Sequence, residues 1–289
     1  MTTSTAFLGL GAMGSALATA ALDAGRPVVG WNRTPHRAAA LGERGAEVAD
    51  TVEEAVTGSR VIVVCLFDHA SVHQALDPVI ARLSGRTVIN LTTTTPGQSR
   101  ELATWAAEHH ATYLDGAILA VPEMIGGAGS AVFYSGSAAA FKENRALLDL
   151  WGESSYFGPD AGMASGYDMA MLVGMYTMLA GFLHGAAMVG WEGVSATEFA
   201  ARQAPFLAAM TEGFAGFAAT IDAKDYAGAG QQSLEFTSGA IGVLMQASIE
   251  QGVNPEVLKP MHDIVRRQIA AGFGRQGTAR IFEELRSTR

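Results

Sequence analysis

Short apolar runs alternate with amphipathic segments along the first half of the chain, and this pattern predicts strands that alternate with helices. Helical spacing occurs in stretches such as Ser15–Ala24, His36–Arg44 and Pro96–His109. The apolar runs of strand length are Thr5–Leu10, Pro27–Trp31, Val61–Leu66, Thr87–Leu91, Thr112–Ile118 and Ser130–Ser135. Such alternation favours an α/β fold with a doubly wound, mostly parallel sheet, in which ligands bind at the carboxyl ends of the strands.

The strand patterns stop after about residue 160, and the rest of the chain is predicted to be helical. The helical stretches are Gly162–Gly190, Ser195–Ala219, Ala227–Gln251 and Pro255–Ala271. We therefore expect a strand-containing domain over residues 1–160 and an all-helical domain over residues 161–289. A long interdomain helix over about residues 162–190 is expected to join them.

One stretch of this interdomain helix, Met169–Gly190, is apolar enough to resemble a membrane span, because His184 is its one potentially charged group. Its length would allow it to cross a bilayer. However, it is rich in Met, Gly and Ala, and no basic flank orients it. A helix that is apolar on all sides can also be buried in the core of a larger protein. We expect that second arrangement and no membrane partner.

A glycine motif follows the first predicted strand, and a helix rich in small residues follows the motif. The motif reads Gly9, Leu10, Gly11, Ala12, Met13 and Gly14. Gly9 would permit a tight turn, Gly11 the close approach of a pyrophosphate, and Gly14 close packing of helix and strand. The helix N-terminus would offer free N–H groups to the pyrophosphate. This context predicts a Rossmann-type domain that binds a dinucleotide, against the alternative of a glycine-rich turn without a ligand.

The end of the second predicted strand indicates which dinucleotide is bound. An NAD site usually has an acidic residue here, whereas this chain has Asn32, Arg33 and Thr34. An amide, a guanidinium and a hydroxyl suit a 2′-phosphate, and Arg37 could add charge, so we expect NADP(H). Further cofactor contacts are expected from residues that follow later strands, namely Leu66, Phe67, Asp68 and Thr92. The run Thr92–Thr95 could also form the turn and helix cap before Pro96.

Composition narrows the classes of function. The formal net charge of −9 over 289 residues argues against a nucleic-acid partner. The single cysteine, Cys65, excludes an internal disulfide framework and is expected to be a small core residue in a reducing compartment. The N-terminal residues show no basic segment followed by a long apolar one, so no signal peptide is indicated. A cytoplasmic location is therefore expected.

Asp168 is the candidate catalytic residue, because it is the one carboxylate in a long apolar run and burial of an unpaired carboxylate is costly outside a cleft. Tyr176 lies eight residues further on, and the two side chains could flank one pocket from the same side of a helix. The alternatives are a helix-start aspartate and a core tyrosine. His184 is expected to be a core or interface histidine. The remaining histidines and acidic residues show no convincing metal-ligand spacing, so no metal is expected.

These residues together resemble the β-hydroxyacid dehydrogenase superfamily and, within it, the imine reductases, over essentially the whole chain. The superfamily features are Phe7-Leu8 before the glycine motif, Trp31-Asn32-Arg33-Thr34, Asp115-Gly116-Ala117, and Gly162 at the start of the interdomain helix. Hydroxyacid dehydrogenases carry a catalytic lysine and paired asparagines on that helix. Here Asp168 replaces the lysine, and Met171 and Leu172 replace the asparagines. Tyr176 matches a pocket tyrosine seen in part of the imine reductases, so the resemblance makes it a second catalytic candidate. Tyr167 is adjacent to Asp168, so either of these two neighbours could face the pocket.

The resemblance implies an NADPH-dependent imine reductase that acts on cyclic imines, and the joining of ketones with amines is the further activity that it suggests. A carboxylate in place of the lysine would favour the cationic iminium and could deliver a proton. The resemblance also implies a homodimer with interlocked helical domains. Two alternatives remain open: a hydroxyacid or short aldehyde dehydrogenase of the same superfamily, and a non-catalytic NADP-binding sensor.

Overall fold

The computed structural model describes residues 4–228 and 230–286, which divide into two compact units over residues 1–173 and 174–289. The first unit contains an eight-stranded sheet in the order β3-β2-β1-β4-β5-β6-β7-β8. Its strands are β1 Ser4–Leu8, β2 Val28–Trp31, β3 Glu47–Val48, β4 Ser59–Val64, β5 Thr87–Asn90, β6 Thr112–Leu119, β7 Ala131–Gly136 and β8 Glu153–Tyr156. All neighbouring strands are parallel except β6 and β7, so the predicted doubly wound, mostly parallel sheet is confirmed.

Helices connect the strands and cover the sheet. They are α1 Ala12–Asp23, α2 Pro35–Gly42, α3 Val52–Thr57, α4 His69–Leu76, α5 Pro96–Glu108 and α6 Ala138–Leu148. Consecutive residues of β1 point to opposite faces, so Phe7 belongs to one buried cluster and Leu8 to the other. Trp151 is fully buried against Phe7, and its indole N–H donates to the Leu17 carbonyl of α1. Because both faces are buried, the strands read as continuous apolar runs.

Helix α7, Gly162–Trp191, begins in the first unit and continues into the second. The predicted domain boundary at residue 160 falls just before this helix, whereas the division between the compact units lies within it. The helices of the second unit are α8 Ala196–Met210, α9 Phe214–Ala223, α10 Leu234–Glu250, α11 Lys259–Gln268 and α12 Ile281–Leu285. Leu234, Val265 and Ile281 form a small buried cluster within this unit.

The second half of α7 is exposed rather than buried, which corrects the expectation of a core helix within this chain. Val173, Tyr176 and Leu183 are each about two-thirds exposed. Two helical segments, Gly162–Trp191 and Ala196–Ala223, are long and apolar enough to cross a membrane by length and composition alone. The physical reason for the wrong expectation is that hydrophobicity shows that a surface must be covered without showing what covers it.

Candidate active site

The glycine motif forms the turn between β1 and α1. At two of its positions a side chain would overlap neighbouring atoms, so only glycine fits. Gly9 has a φ of +95°, and a Cβ there would overlap the Cys65 carbonyl oxygen. A Cβ on Gly14 would overlap the carbonyl oxygen of Gly9, so this glycine brings the helix against the turn. A Cβ on Gly11 would meet only the Arg37 guanidinium at 3.9 Å. The backbone at Gly11 is therefore open for a ligand to approach.

A cavity of about 560 Å³ lies over this turn. Most of the residues predicted to hold the cofactor line it: Gly9, Gly11, Ala12, Met13, Gly14, Asn32, Arg33, Thr34, Leu66 and Phe67. Arg37, which the sequence indicated as an additional charge, also lines it, and the structure adds Trp31, Cys65, Ser71, Gln74 and Ala75. The last three are on α4, a helix that the sequence patterns did not reveal, and no motif marks them. Phe67 is 91% exposed at the edge of this cavity.

Three predicted cofactor residues do not line this cavity, and each has another structural role. Leu10 is buried, and its N–H donates to the Asn32 side chain at 2.8 Å. Asp68 caps α4 by accepting hydrogen bonds from the backbone N–H and hydroxyl of Ser71. These bonds hold the pKa of Asp68 below its usual value. The hydroxyl of Thr92 accepts from the Leu66 N–H at 2.9 Å, and Thr92 lines a second cavity instead.

The donors around the first cavity fit a dinucleotide phosphate. Arg33 and Arg37 both line it, and among the described residues neither forms an ion pair. Asn32 orients the turn, and no side chain caps the N-terminus of α1. The first N–H groups of a helix have no partner within it, so those of α1 are available to an anionic ligand.

A second cavity of about 300 Å³ adjoins the first, and Met13, Cys65 and Leu66 line both. Its other lining residues are Leu91, Thr92, Thr93, Thr94, Asp115, Gly116, Ala117, Ile118, Ala120, Ser165 and Asp168. Cys65 follows β4 and lies in the wall common to both cavities, so the expectation of a simple core cysteine is incomplete. Burial raises the pKa of its thiol to about 11. The thiol is therefore protonated and a poor nucleophile near neutral pH.

Two carboxyl groups line the second cavity. Asp168, on α7, is 6% exposed, and burial raises its pKa. Asp115, on β6, is 1% exposed, and its pKa is raised to about 7, chiefly by burial. The Tyr113 hydroxyl donates to Asp115 at 2.8 Å and partly offsets that rise, and the nearby Asp168 adds to it. The sequence had indicated Asp115 only as a family feature, because Asn90 and Asp168, which lie near it, come from other elements.

A polar network fixes the start of α7 against α5. The Ser99 hydroxyl lies 2.8 Å from that of Thr94 and 3.0 Å from that of Ser165. Arg100 forms two hydrogen bonds with the Asp160 carboxylate, at 2.8 and 2.9 Å. A Cβ on Gly162 would lie 2.8 Å from the Pro96 carbonyl oxygen, so a larger residue would push α7 away from α5. Asp168, two turns along the same helix, is thereby held in position.

The two tyrosines near Asp168 have different surroundings. Tyr167 packs against Phe157 and Phe133, with ring centroids 4.4 and 6.1 Å away, and does not line the cavity. Of the two neighbours, Asp168 is therefore the one that faces it. Tyr176 lies two turns further along α7, in the second unit, and is 65% exposed. Its role stays a prediction. His184 lies 2.8 Å from the Ser248 hydroxyl within the second unit.

Comparison with known proteins places these features in a family. Residues 4–158 match a family model described as the NAD binding domain of 6-phosphogluconate dehydrogenase, and residues 160–287 match one described as NADPH-dependent reductive aminase-like, C-terminal domain. The chain is 37% identical to an NADPH-dependent reductive aminase from Aspergillus oryzae, over 95% of this chain and 94% of that protein.

Two solved structures are similar over nearly their whole length. One is a reductive aminase from Aspergillus terreus in complex with NADPH4, cyclohexanone and allyl amine. Its sequence is 40% identical to this chain. The alignment covers 99% of this chain and 100% of the A. terreus chain, with a TM-score of 0.94. The other is an imine reductase from Myxococcus stipitatus in complex with NADP+. It is 35% identical, covers 98% and 100% of the two chains, and has a TM-score of 0.92.

Proposed function

Because the chain belongs to the family of NADPH-dependent reductive aminases and imine reductases, we propose that it reduces small imines and iminium ions to amines. The observation that carries this proposal is the position of Asp168, a buried carboxyl in a cavity that adjoins the cofactor cavity. Bound NADPH supplies the hydride, and the cavity around Asp168 receives the substrate.

The residues around the second cavity favour a cationic or neutral substrate over an anionic one. Among the described residues, none that lines this cavity is cationic, and two of them, Asp115 and Asp168, are carboxylic acids. A hydroxyacid carboxylate would meet no positive partner there and would be repelled wherever these acids are ionised. A protonated imine would be stabilised by the same groups. This arrangement favours C=N reduction over hydroxyacid oxidation.

Asp168 can serve in two ways at the substrate nitrogen. When ionised, its carboxylate stabilises the iminium form, in which the carbon is the better hydride acceptor. When protonated, it can donate to the nitrogen of a neutral imine, and its raised pKa increases the protonated fraction. In either case the carbon gains a hydride, the nitrogen ends with a proton, and the product is an amine. Leu91, Ala117 and Ile118 line the cavity with apolar surface and limit the access of water.

We further propose that the enzyme joins ketones with amines, since the A. terreus relative was solved with cyclohexanone and allyl amine. Loss of water between the two gives the imine, which is then reduced in the same cavity. Asp168 would hold the amine-derived nitrogen throughout. Tyr176 is proposed as a second substrate contact, on the resemblance alone.

We also propose a homodimer in which the second unit's exposed apolar residues pack against the partner chain. Tyr176, Leu183, Trp191, Phe214 and Val243 are each about two-thirds exposed, and all lie on helices of that unit. Large apolar side chains exposed to this extent on one unit indicate an interaction site.

The test is NADPH oxidation with a panel of small cyclic imines, followed by chemical identification of the amine. Turnover with several imines, and none when a hydroxyacid is offered with NADP+, is the expected result. Turnover of hydroxyacids instead would show a dehydrogenase of the parent superfamily. Tight NADPH binding without hydride transfer to any imine or ketone–amine pair would show a non-catalytic binding protein.

A further inference from the structure

A cluster of two histidines and a glutamate lies on the surface of the first unit, outside both cavities. His69 and His73 are one helical turn apart on α4, and Glu101 is on α5. One carboxylate oxygen of Glu101 lies 2.6 Å from His69 Nε2 and 3.2 Å from His73 Nε2. The possible ligand atoms of the three residues all lie within 4.8 Å of one another. The sequence did not indicate this cluster, because Glu101 is distant along the chain.

Each ring nitrogen of His73 faces a carboxylate. Its Nδ1 lies 3.0 Å from the Asp77 carboxylate and can donate to it. Its Nε2 lies 3.2 Å from the Glu101 oxygen, and a bound cation would replace the proton that these two atoms share. A carboxylate that holds the outer nitrogen of a metal-binding histidine is a common feature of zinc sites. The Trp105 ring packs edge-on against His73, with centroids 5.5 Å apart, and restricts its rotation.

We propose that His69, His73 and Glu101 bind a divalent cation of the Zn²⁺ class, with water in the fourth position. Two imidazole nitrogens and one carboxylate oxygen suit Zn²⁺ better than Mg²⁺ or Ca²⁺, which prefer oxygen ligands. Bonds of about 2.0–2.1 Å at tetrahedral angles would place the ligand atoms roughly 3.3 Å apart. The contact between Glu101 and His73, at 3.2 Å, is close to that spacing, whereas the contact between Glu101 and His69, at 2.6 Å, would lengthen when the ion binds. The side chains are partly exposed, so the ion can enter from solvent.

The bound ion would cross-link two helices that begin beside the two cavities. Helix α4 follows Leu66 and Phe67, which line the cofactor cavity, and α5 follows the threonines that line the second cavity. A cation that binds the folded chain and not the unfolded one stabilises the fold. The site would therefore stabilise this edge of the first unit without taking part in hydride transfer.

The experiment titrates Zn²⁺ into untagged, chelator-treated protein by calorimetry, and repeats the titration with Co²⁺ to record its visible absorption bands. One Zn²⁺ per chain and a tetrahedral Co²⁺ spectrum are expected for the unaltered protein. His69→Gln, His73→Gln and Glu101→Gln should each abolish stoichiometric binding, and His36→Gln, an exposed histidine on α2, should not change it. Asp77→Ala should weaken binding about 10- to 100-fold, because it removes the partner that orients His73.

Thermal unfolding gives an independent readout. Zn²⁺ should raise the Tm of the unaltered protein and of His36→Gln, and leave the Tm of His73→Gln unchanged. If Zn²⁺ fails to bind stoichiometrically, or binds His73→Gln and the unaltered protein equally, the proposed site does not exist. Neither result depends on enzyme activity, so failure here is distinguishable from failure of the proposed reaction.

Discussion

Asp168 is a single carboxyl whose removal tests the chemistry directly. Asp168→Ala is expected to lower the kcat for a neutral cyclic imine by about 10- to 1000-fold, the range of general acid and electrostatic effects. The Kd for NADPH should change little, because the phosphate-binding residues lie in the other cavity. Steady-state kinetics and a fluorescence titration with NADPH measure the two quantities.

An N-alkylated iminium substrate separates the two roles of Asp168, since it needs no proton. If Asp168 acts mainly as a proton donor, the iminium restores the rate of Asp168→Ala; if it acts by its charge, both substrates lose rate. Tyr167→Phe is the matched control, because its ring packs on Phe157 and Phe133 outside the cavity. Unchanged rates of Asp168→Ala on both substrates would remove Asp168 from the mechanism.

Asp115 makes stability depend on pH in a predictable direction. Its pKa rises from an ordinary value of 3.8 to about 7 in the folded chain, so folding favours the protonated acid. The unfolded chain loses this proton first as pH rises, and the free energy of unfolding falls between about pH 4 and pH 7. At about 1.4 kcal/mol per pH unit, the contribution lost is about 4 kcal/mol. Above about pH 7 this contribution no longer changes.

Asp115→Asn should remove that dependence, because the amide does not titrate and its oxygen can still accept from Tyr113. Urea unfolding at equal protein concentration, at pH 4.5 and pH 7.5, measures the difference between the two proteins. Their difference in stability should shift in favour of the variant at the higher pH. If the two proteins differ by the same free energy of unfolding at both pH values, the claim that burial raises the pKa of Asp115 is contradicted.

At the level of elements, the turn between β2 and α2 is predicted to determine which cofactor is used. Arg33→Ala is expected to raise the KM for NADPH about 10- to 100-fold, the loss expected for a charge-assisted hydrogen bond, and to leave the KM for NADH nearly unchanged. Arg44→Ala is the control, because that guanidinium pairs with Asp23 outside the cofactor cavity. Equal use of NADPH and NADH by the unaltered protein would refute this interpretation of the turn.

The elements that the sequence predicted well are those with strong local patterns. The ends of the apolar strands β1, β4 and β5 were predicted to within two residues. Strands β3 and β8 were not predicted. Both are short, and β8 reads Glu153-Ser154-Ser155-Tyr156, so neither has an apolar run. The predicted helix Ser195–Ala219 is two helices, α8 and α9, separated by a turn at Thr211–Gly213. The predicted start at Ala227 is wrong, since α10 begins at Leu234.

The candidate site was predictable where one motif carries it and not where tertiary contacts create it. The local spacing of the glycine motif and of the Asn32–Thr34 turn is enough to predict a binding site for a dinucleotide phosphate. The approach of Asp115 to Asn90 on β5, and of Glu101 to the α4 histidines, depends on how separate elements pack. No local pattern encodes those distances.

At the scale of the whole molecule, the exposed apolar surface of the second unit predicts an obligate dimer. Leu183→Glu should produce a monomer, because it places a charge on α7 where the apolar side chain is 65% exposed. The rate of imine reduction should decrease as the dimer is lost, whereas the first unit should still bind NADPH. Val48→Glu, an exposed apolar residue of the first unit, is the control. Sedimentation velocity measures the mass, and an active monomer of the unaltered chain would refute the proposal.

Cys65 can serve as a chemical probe of local unfolding in the first unit. It is the chain's one thiol, it lies in the wall between the two cavities, and its raised pKa keeps it unreactive while the first unit stays closed. The rate of alkylation by a bulky reagent therefore counts the openings of that unit, as amide exchange does, while the cysteine-free second unit contributes no signal. Bound NADP+ should slow the labelling further. The alkylation rate of this single cysteine therefore measures the stability of the first unit, which contains the cofactor cavity.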